Sequence, residues 1–193
     1  MRAAIAALLL LSPLQADWLL EPAAKPSRVV EEGSDIVLTN GLIRRVFRAK
    51  PDCATVAFDN LLTGASMLRG VKPEALLTLN GIQYPVGGLQ GQPDYAYLRP
   101  QWLDAMQADP KALHCTGYEQ APVAARFAWK QVRYAANTQW PPKGAGLVFH
   151  YQGPQPGLKI DIHYEIYDGT PLLAKWITLN NTTFNNIQLD KFT

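Results

Sequence analysis

The sequence predicts an all-β chain folded as an antiparallel β-sandwich with one short helix. Three observations carry this reading. Residues 160–167 alternate: Ile160, Ile162, Tyr164 and Ile166 share one face, while Lys159, Asp161, His163, Glu165 and Tyr167 share the other. That is the period of a strand with one buried face. Asp168-Gly169-Thr170-Pro171 then supplies turn chemistry, and residues 172–179 return rich in branched and aromatic side chains, which completes a hairpin. Asn-Gly also occurs twice between β-prone runs, at Asn40-Gly41 and Asn80-Gly81. Both residue types tolerate the positive φ of a type I′ hairpin turn. Finally, fifteen prolines and fourteen glycines punctuate a chain that has few helix-period runs.

Length and composition bound the rest. With 193 residues, 48% hydrophobic and 18% charged, the chain is globular and of one-domain size. A formal charge of +2 argues against a nucleic-acid partner. Residues 1–16 read as a signal peptide. Arg2 precedes an apolar run from Ala3 to Leu11, and Ser12-Pro13 ends it. As a helix this run spans only about 14 Å, against a hydrocarbon core of about 30 Å. The expected destination is secreted or periplasmic, with no membrane attachment after cleavage.

Taken in order, residues 17–34 form a polar, extended lead-in with a short edge strand near Val29-Val30. The sandwich domain is expected over 35–193. Residues 35–47 make the first Asn-Gly hairpin, 54–58 a strand, and 59–70 a loop that turns Leu61, Leu62, Met67 and Leu68 inward. Residues 75–86 make the second Asn-Gly hairpin. Residues 87–99 read as loop. Residues 100–109 read as the helix: Pro100 suits its start, Trp102 and Met106 stand at i and i+4, and Pro110 closes it. Strands are expected at 124–134, 147–151 and 185–192, with Trp129 and Trp176 in the core. The last strand has no visible partner, so the sandwich reads as incomplete at its C-terminal end.

Catalytic signals are weak. Asp161 and Glu165 share a strand face, but four residues at about 3.3 Å each separate them by about 13 Å. Glycosidase carboxylate pairs stand roughly 5 to 9.5 Å apart. That face reads as a solvated one with cross-strand ion pairs, or as a sugar-facing one. His114, His150 and His163 lack metal-ligand spacing, so neither metal nor cofactor is expected. The stronger lead is aromatic: Trp140, Tyr95, Tyr97 and Trp102 lie on or beside loops. Their rings either stack on the C–H faces of a carbohydrate or lid the ends of the sandwich. Cys53 and Cys115 either form a disulfide, which an exported chain permits, or stay as two small buried thiols.

Three stretches, DIVLTNGLIRRVF from Asp35, FDNLLTG from Phe58 and HYEIYDGTPLLAKWITLNN from His163, resemble the N-terminal domain of α-galactosidase-like, melibiase-type glycoside hydrolases. The resemblance implies a galactose-mutarotase-like β-supersandwich standing ahead of a C-terminal catalytic barrel. It implies that the catalytic carboxylates belong to the barrel, so no catalytic residue is expected here. The partner would be that barrel or a carbohydrate. A free-standing carbohydrate-binding module and a structural or adhesive β-sandwich are the alternatives.

Overall fold

The computed structural model describes residues 25–130, 139–153 and 156–193. The signal-peptide reading and the start of the lead-in lie outside the described residues. So do residues 131–134 of the strand expected at 124–134.

Five strands form an antiparallel meander: β1 (Arg28–Glu32), β2 (Asp35–Thr39), β3 (Ile43–Arg48), β4 (Ala54–Asn60) and β5 (Ala65–Ser66). β6 (Ala75–Leu79) and β7 (Ile82–Val86) make a hairpin, and β8 (Leu89–Gln90) pairs with β9 (Gln107–Ala108) around a short 3-10 helix, Pro100–Ala105. A second meander follows: β10 (His114–Ala121), β11 (Gly144–Gln152), β12 (Leu158–Tyr167) and β13 (Leu173–Asn181). β14 (Leu189–Phe192) returns to pair with β6. The fold is an all-β sandwich and not a closed barrel. Among the described residues no helix is long and apolar enough to cross a membrane.

The main core lies between the two meanders. Ile36, Leu38, Ile43 and Phe47 of the five-stranded sheet meet Leu147, Phe149, Tyr151, Ile160, Ile162, Tyr164 and Ile166 of the four-stranded sheet. The predicted alternation on β12 is therefore the alternation of the core. Phe47 stands 4.8 Å, centroid to centroid, from both Phe149 and Tyr164, within the range where aromatic pairs attract. Ala75, Leu77 and Leu79 of β6 close the same core. A smaller core covers the outer face of the five-stranded sheet, where Val37, Val46, Ala54 and Val56 pack on Val71, Leu89, Leu103 and Met106.

The two Asn-Gly pairs do different work. Asn80 and Gly81 have φ of +49° and +79°, the type I′ conformation of a two-residue hairpin loop. Asn40 is buried and leaves the positive φ to Gly41. Its Oδ1 accepts the Leu42 and Ile43 amides at 3.0 Å, and its Nδ2 donates to the Tyr167 and Thr170 carbonyls at 2.7 Å. It thus pins the first hairpin to the β12–β13 turn.

Several expectations change. The strand read at 124–134 is instead β10, ten residues earlier; Pro122 follows its end, and a bulge between Cys115 and Gly117 breaks the alternation that would have revealed it. The helix is a 3-10 turn that ends at Ala105, because Met106 is already extended. Leu61, on the β4–β5 turn, and Met67, just after β5, are 44% and 48% exposed, so they plug nothing. Trp129 is exposed and Trp176 half-buried, so neither belongs to the core. The last strand does have a partner: β14 pairs with β6 through Leu189–Leu79 and Phe192–Leu77.

Two devices tie the sheets. Cys53, in the β3–β4 turn, is disulfide-bonded to Cys115 of β10, with Cα atoms 5.8 Å apart across 62 residues of sequence. Glu74, just ahead of β6 and 7% exposed, is the second. Its Oε1 accepts the Thr55 amide at 2.9 Å and the Thr55 hydroxyl at 2.7 Å. Its Oε2 accepts the Tyr164 hydroxyl and lies 2.8 Å from Lys175 Nζ and 3.7 Å from Arg45 Nη2. Burial pushes the Glu74 carboxyl up, but Lys175 and Arg45 outweigh it and hold the group below its ordinary value.

Glu74→Ala should cost roughly 3 to 5 kcal/mol of stability in denaturant titrations, because it strands two cations at a buried site. A group depressed in the folded state stabilises fully above its unfolded value and loses that contribution as pH falls. The wild-type melting temperature should therefore drop below about pH 4.3, and Glu74→Gln should flatten that acid limb. Burial holds the Tyr151 and Tyr164 phenols well above 10, so stability should also fall as pH rises past about 10. Cys53→Ser should cost roughly 2 to 5 kcal/mol, with the same loss on reduction of the wild type.

Candidate functional site

The outer face of the four-stranded sheet carries an organised polar and aromatic array. Alternation on β12 turns Asp161, His163, Glu165 and Tyr167 away from the core. The β11–β12 register sets His150 opposite Asp161, and the β12–β13 register sets Trp176 opposite His163 and Thr178 opposite Asp161. Directly opposed residues on one sheet face are close enough to interact. The His163 and Trp176 rings stack in parallel, 4.7 Å between centroids with a 2° interplanar angle. His163 Nε2 lies 3.0 Å from Thr178 Oγ1, and His150 Nδ1 lies 2.7 Å from Asp161 Oδ1. Burial pushes the His163 imidazole below its usual value, which favours the neutral ring at pH 7.

The segment after β10 crosses this face. Gly144 makes room for it: a Cβ there would stand 2.9 Å from Val123 Cγ2. The Ala124 amide donates to Glu165 Oε1 at 2.8 Å. Arg126 Nη2 donates to Glu165 Oε2 at 3.4 Å and to the Tyr167 hydroxyl oxygen at 2.9 Å, and the Tyr167 hydroxyl donates to Glu165 Oε2 at 2.8 Å. The guanidinium carbon of Arg126 stands 4.1 Å from the Trp176 ring centroid, a cation–π contact. Burial and the bond to Glu165 push the Tyr167 phenol up. The expectation of a solvated sheet face is therefore corrected at Glu165, which is 2% exposed and covered by this segment.

One residue beyond Arg126 an aromatic cluster begins. Phe127 and Trp129 pack on Trp140 with centroids 4.6 and 5.8 Å away, and Trp140 Nε1 donates to the Phe127 carbonyl at 3.1 Å. Trp140 is half-buried, whereas Phe127 and Trp129 are 55% and 42% exposed. Trp140 is thus the anchor of the cluster, and its two neighbours present the open rings.

The other three aromatic candidates lie elsewhere. Tyr97 and Trp102 pack at 5.4 Å, and Tyr95 lies against Gly70, all in the segment that covers the outer face of the five-stranded sheet. Among the described residues no ring contact joins them to Trp140. A cavity of about 510 Å³ is lined by Tyr84, Lys111 and His114. His114 there lies 3.2 Å from buried Asp52, which also accepts the Cys115 amide, so both groups already have partners beside the disulfide.

Both carboxylates of the array already have partners. Glu165 already accepts from a backbone amide, a guanidinium and a phenol, and Asp161 already faces His150. The His163–Trp176 pair was within reach of sequence reasoning, because the hairpin register about residues 168–171 sets those two opposite each other. Arg126 and Phe127 had no such signal, since nothing local says that their segment folds back over β12. No family model matches the chain, and no curated protein is similar to it.

Proposed function

We propose that the chain is a non-catalytic, carbohydrate-binding β-sandwich domain of an exported carbohydrate-active enzyme. The observation that carries this reading is the exposed ring cluster of Phe127, Trp129 and Trp140, set one residue from Arg126 on a hydrogen-bonded polar sheet face. Flat, amphipathic rings suit the C–H faces of a sugar, and a few convergent polar groups suit its hydroxyls. The resemblance of 35–47, 58–64 and 163–181 to α-galactosidase-like hydrolases supports galactosides as the first ligands to test. It also supports a galactose-mutarotase-like sandwich that serves a separate catalytic barrel. The Cys53–Cys115 bridge supports an oxidising compartment, secreted or periplasmic. The carboxylates of the sheet face support binding without turnover, since both Glu165 oxygens are bonded, Asp161 faces His150, and the two are separated along one strand.

The test is a tryptophan-fluorescence titration with galactosides. Phe127→Ala and Trp129→Ala should each weaken binding by roughly tenfold without moving the melting temperature, as truncation of an exposed anchor does. Trp140→Ala should weaken binding and also cost about 1 kcal/mol of stability, through the lost bond to the Phe127 carbonyl. A loss of about 3 to 5 kcal/mol at Trp140 with sugar affinity intact would identify a core cap instead. Aryl α- and β-galactosides should not turn over. Turnover abolished by Glu165→Gln would overturn the non-catalytic reading.

A further inference from the structure

We infer a second binding surface, on the opposite face of the sandwich, for an acidic polysaccharide. It is built from Lys72, Tyr95, Tyr97, Arg99 and Trp102, with Arg69 beside them. Lys72 Nζ sits 3.9 Å from the Tyr95 centroid, and the Arg99 guanidinium sits 5.2 and 5.7 Å from Tyr97 and Trp102. Tyr95 and Tyr97 remain 49% and 44% exposed, so half of each ring faces solvent beside a cation.

The surface is held in place from beneath. Gln92 is 6% exposed, and its side-chain amide is fully spent. Its Oε1 accepts the Val71 amide at 2.9 Å, and the two hydrogens of its Nε2 are shared among the carbonyls of Arg69, Asp94 and Tyr97 at 3.0, 2.6 and 3.1 Å. One buried side chain therefore clamps the 69–71 segment to the 94–97 loop and holds the two cation–ring units on a common frame. Gly70 admits the Tyr95 ring, since a Cβ there would stand 2.8 Å from the ring's Cδ1. A cavity of about 230 Å³ lined by Leu98, Pro100, Leu103 and Arg44 lies alongside.

Charge selects the partner. Among the described residues, Arg69, Lys72 and Arg99 form no ion pair with a carboxylate, whereas two of the three acids of the same region pair with arginines and the third, Asp94, bonds only to backbone, so unpaired cations outnumber unpaired carboxylates. Asp94 accepts the Ala96 amide at 2.8 Å, Asp104 pairs with Arg48 at 2.8 Å, and Asp59 pairs with Arg44 at 3.2 Å. Unpaired cations beside half-open rings fit a sugar chain that bears anionic groups: the rings take the C–H faces and the cations take carboxylate or sulfate oxygens. This surface does not depend on the Phe127 platform, and its test is separate.

The test is native electrophoresis of the whole chain in gels that contain polygalacturonate, dextran sulfate or neutral dextran. Retardation is expected in an acidic gel and not in dextran. Polygalacturonate identifies a uronate ligand, and dextran sulfate alone identifies a sulfate ester. Lys72→Gln with Arg99→Gln should weaken the acidic-gel affinity by about tenfold with an unchanged melting temperature. About 0.5 M sodium chloride should abolish retardation of the wild type, a readout that needs no variant. Equal retardation in dextran, no retardation in either acidic gel, unchanged affinity of the double variant, or equal affinity for single-stranded DNA would overturn the inference.

Discussion

The sandwich depends on one buried carboxylate. Glu74 stands at the entrance to β6 and bonds to Thr55 of β4, Tyr164 of β12 and Lys175 of β13, with Arg45 of β3 close by. Through it three sheets share one polar joint beside the apolar core. Such a joint is weak evidence of stability on its own terms, because taking ions out of water costs much of what their attraction returns. Its value is positional. An apolar contact tolerates a sliding sheet, whereas a carboxylate with four donors fits one register. Tyr164 links this joint to the apolar interior, since its ring packs on Phe47 while its hydroxyl reaches Glu74.

The outer faces follow from that fixed interior. With Ile160, Ile162, Tyr164 and Ile166 committed inward, a pleated strand must turn Asp161, His163 and Glu165 outward. A polar row left bare would be an ordinary solvated face. Here the segment after Pro122 crosses it, buries Glu165 and brings Arg126 over Trp176. The result is a hydrogen-bonded network that ends at the exposed rings of Phe127 and Trp129. On the far side Gln92 has the same role for Tyr97 and the 69–71 segment: a buried amide spends every hydrogen bond on backbone and leaves cations and rings outside.

The two opposed surfaces differ in character. The Phe127 platform is ring-rich and bordered by a compensated Arg126–Glu165 pair. The Tyr97 surface is bordered by cations that have no carboxylate partner among the described residues.

By itself the sequence determined the fold class, the two Asn-Gly turns, the β12–β13 hairpin and the inward face of β12. These are local matters of side-chain period and backbone conformation, and they can be read wherever a strand has one wet face. Residues in contact across long separations were decided only by the tertiary structure. β10 was hidden because its bulge at Cys115–Gly117 breaks the alternation, and β14 found its partner in β6, more than a hundred residues earlier. Asn40 looked like a turn residue and is also a buried pin to the β12–β13 turn. Trp140 was legible as a loop aromatic, but Phe127 and Arg126 join it only because an irregular segment folds back over a sheet. No periodicity records such a return, since it is set by which surfaces remain to be covered once the sheets have packed.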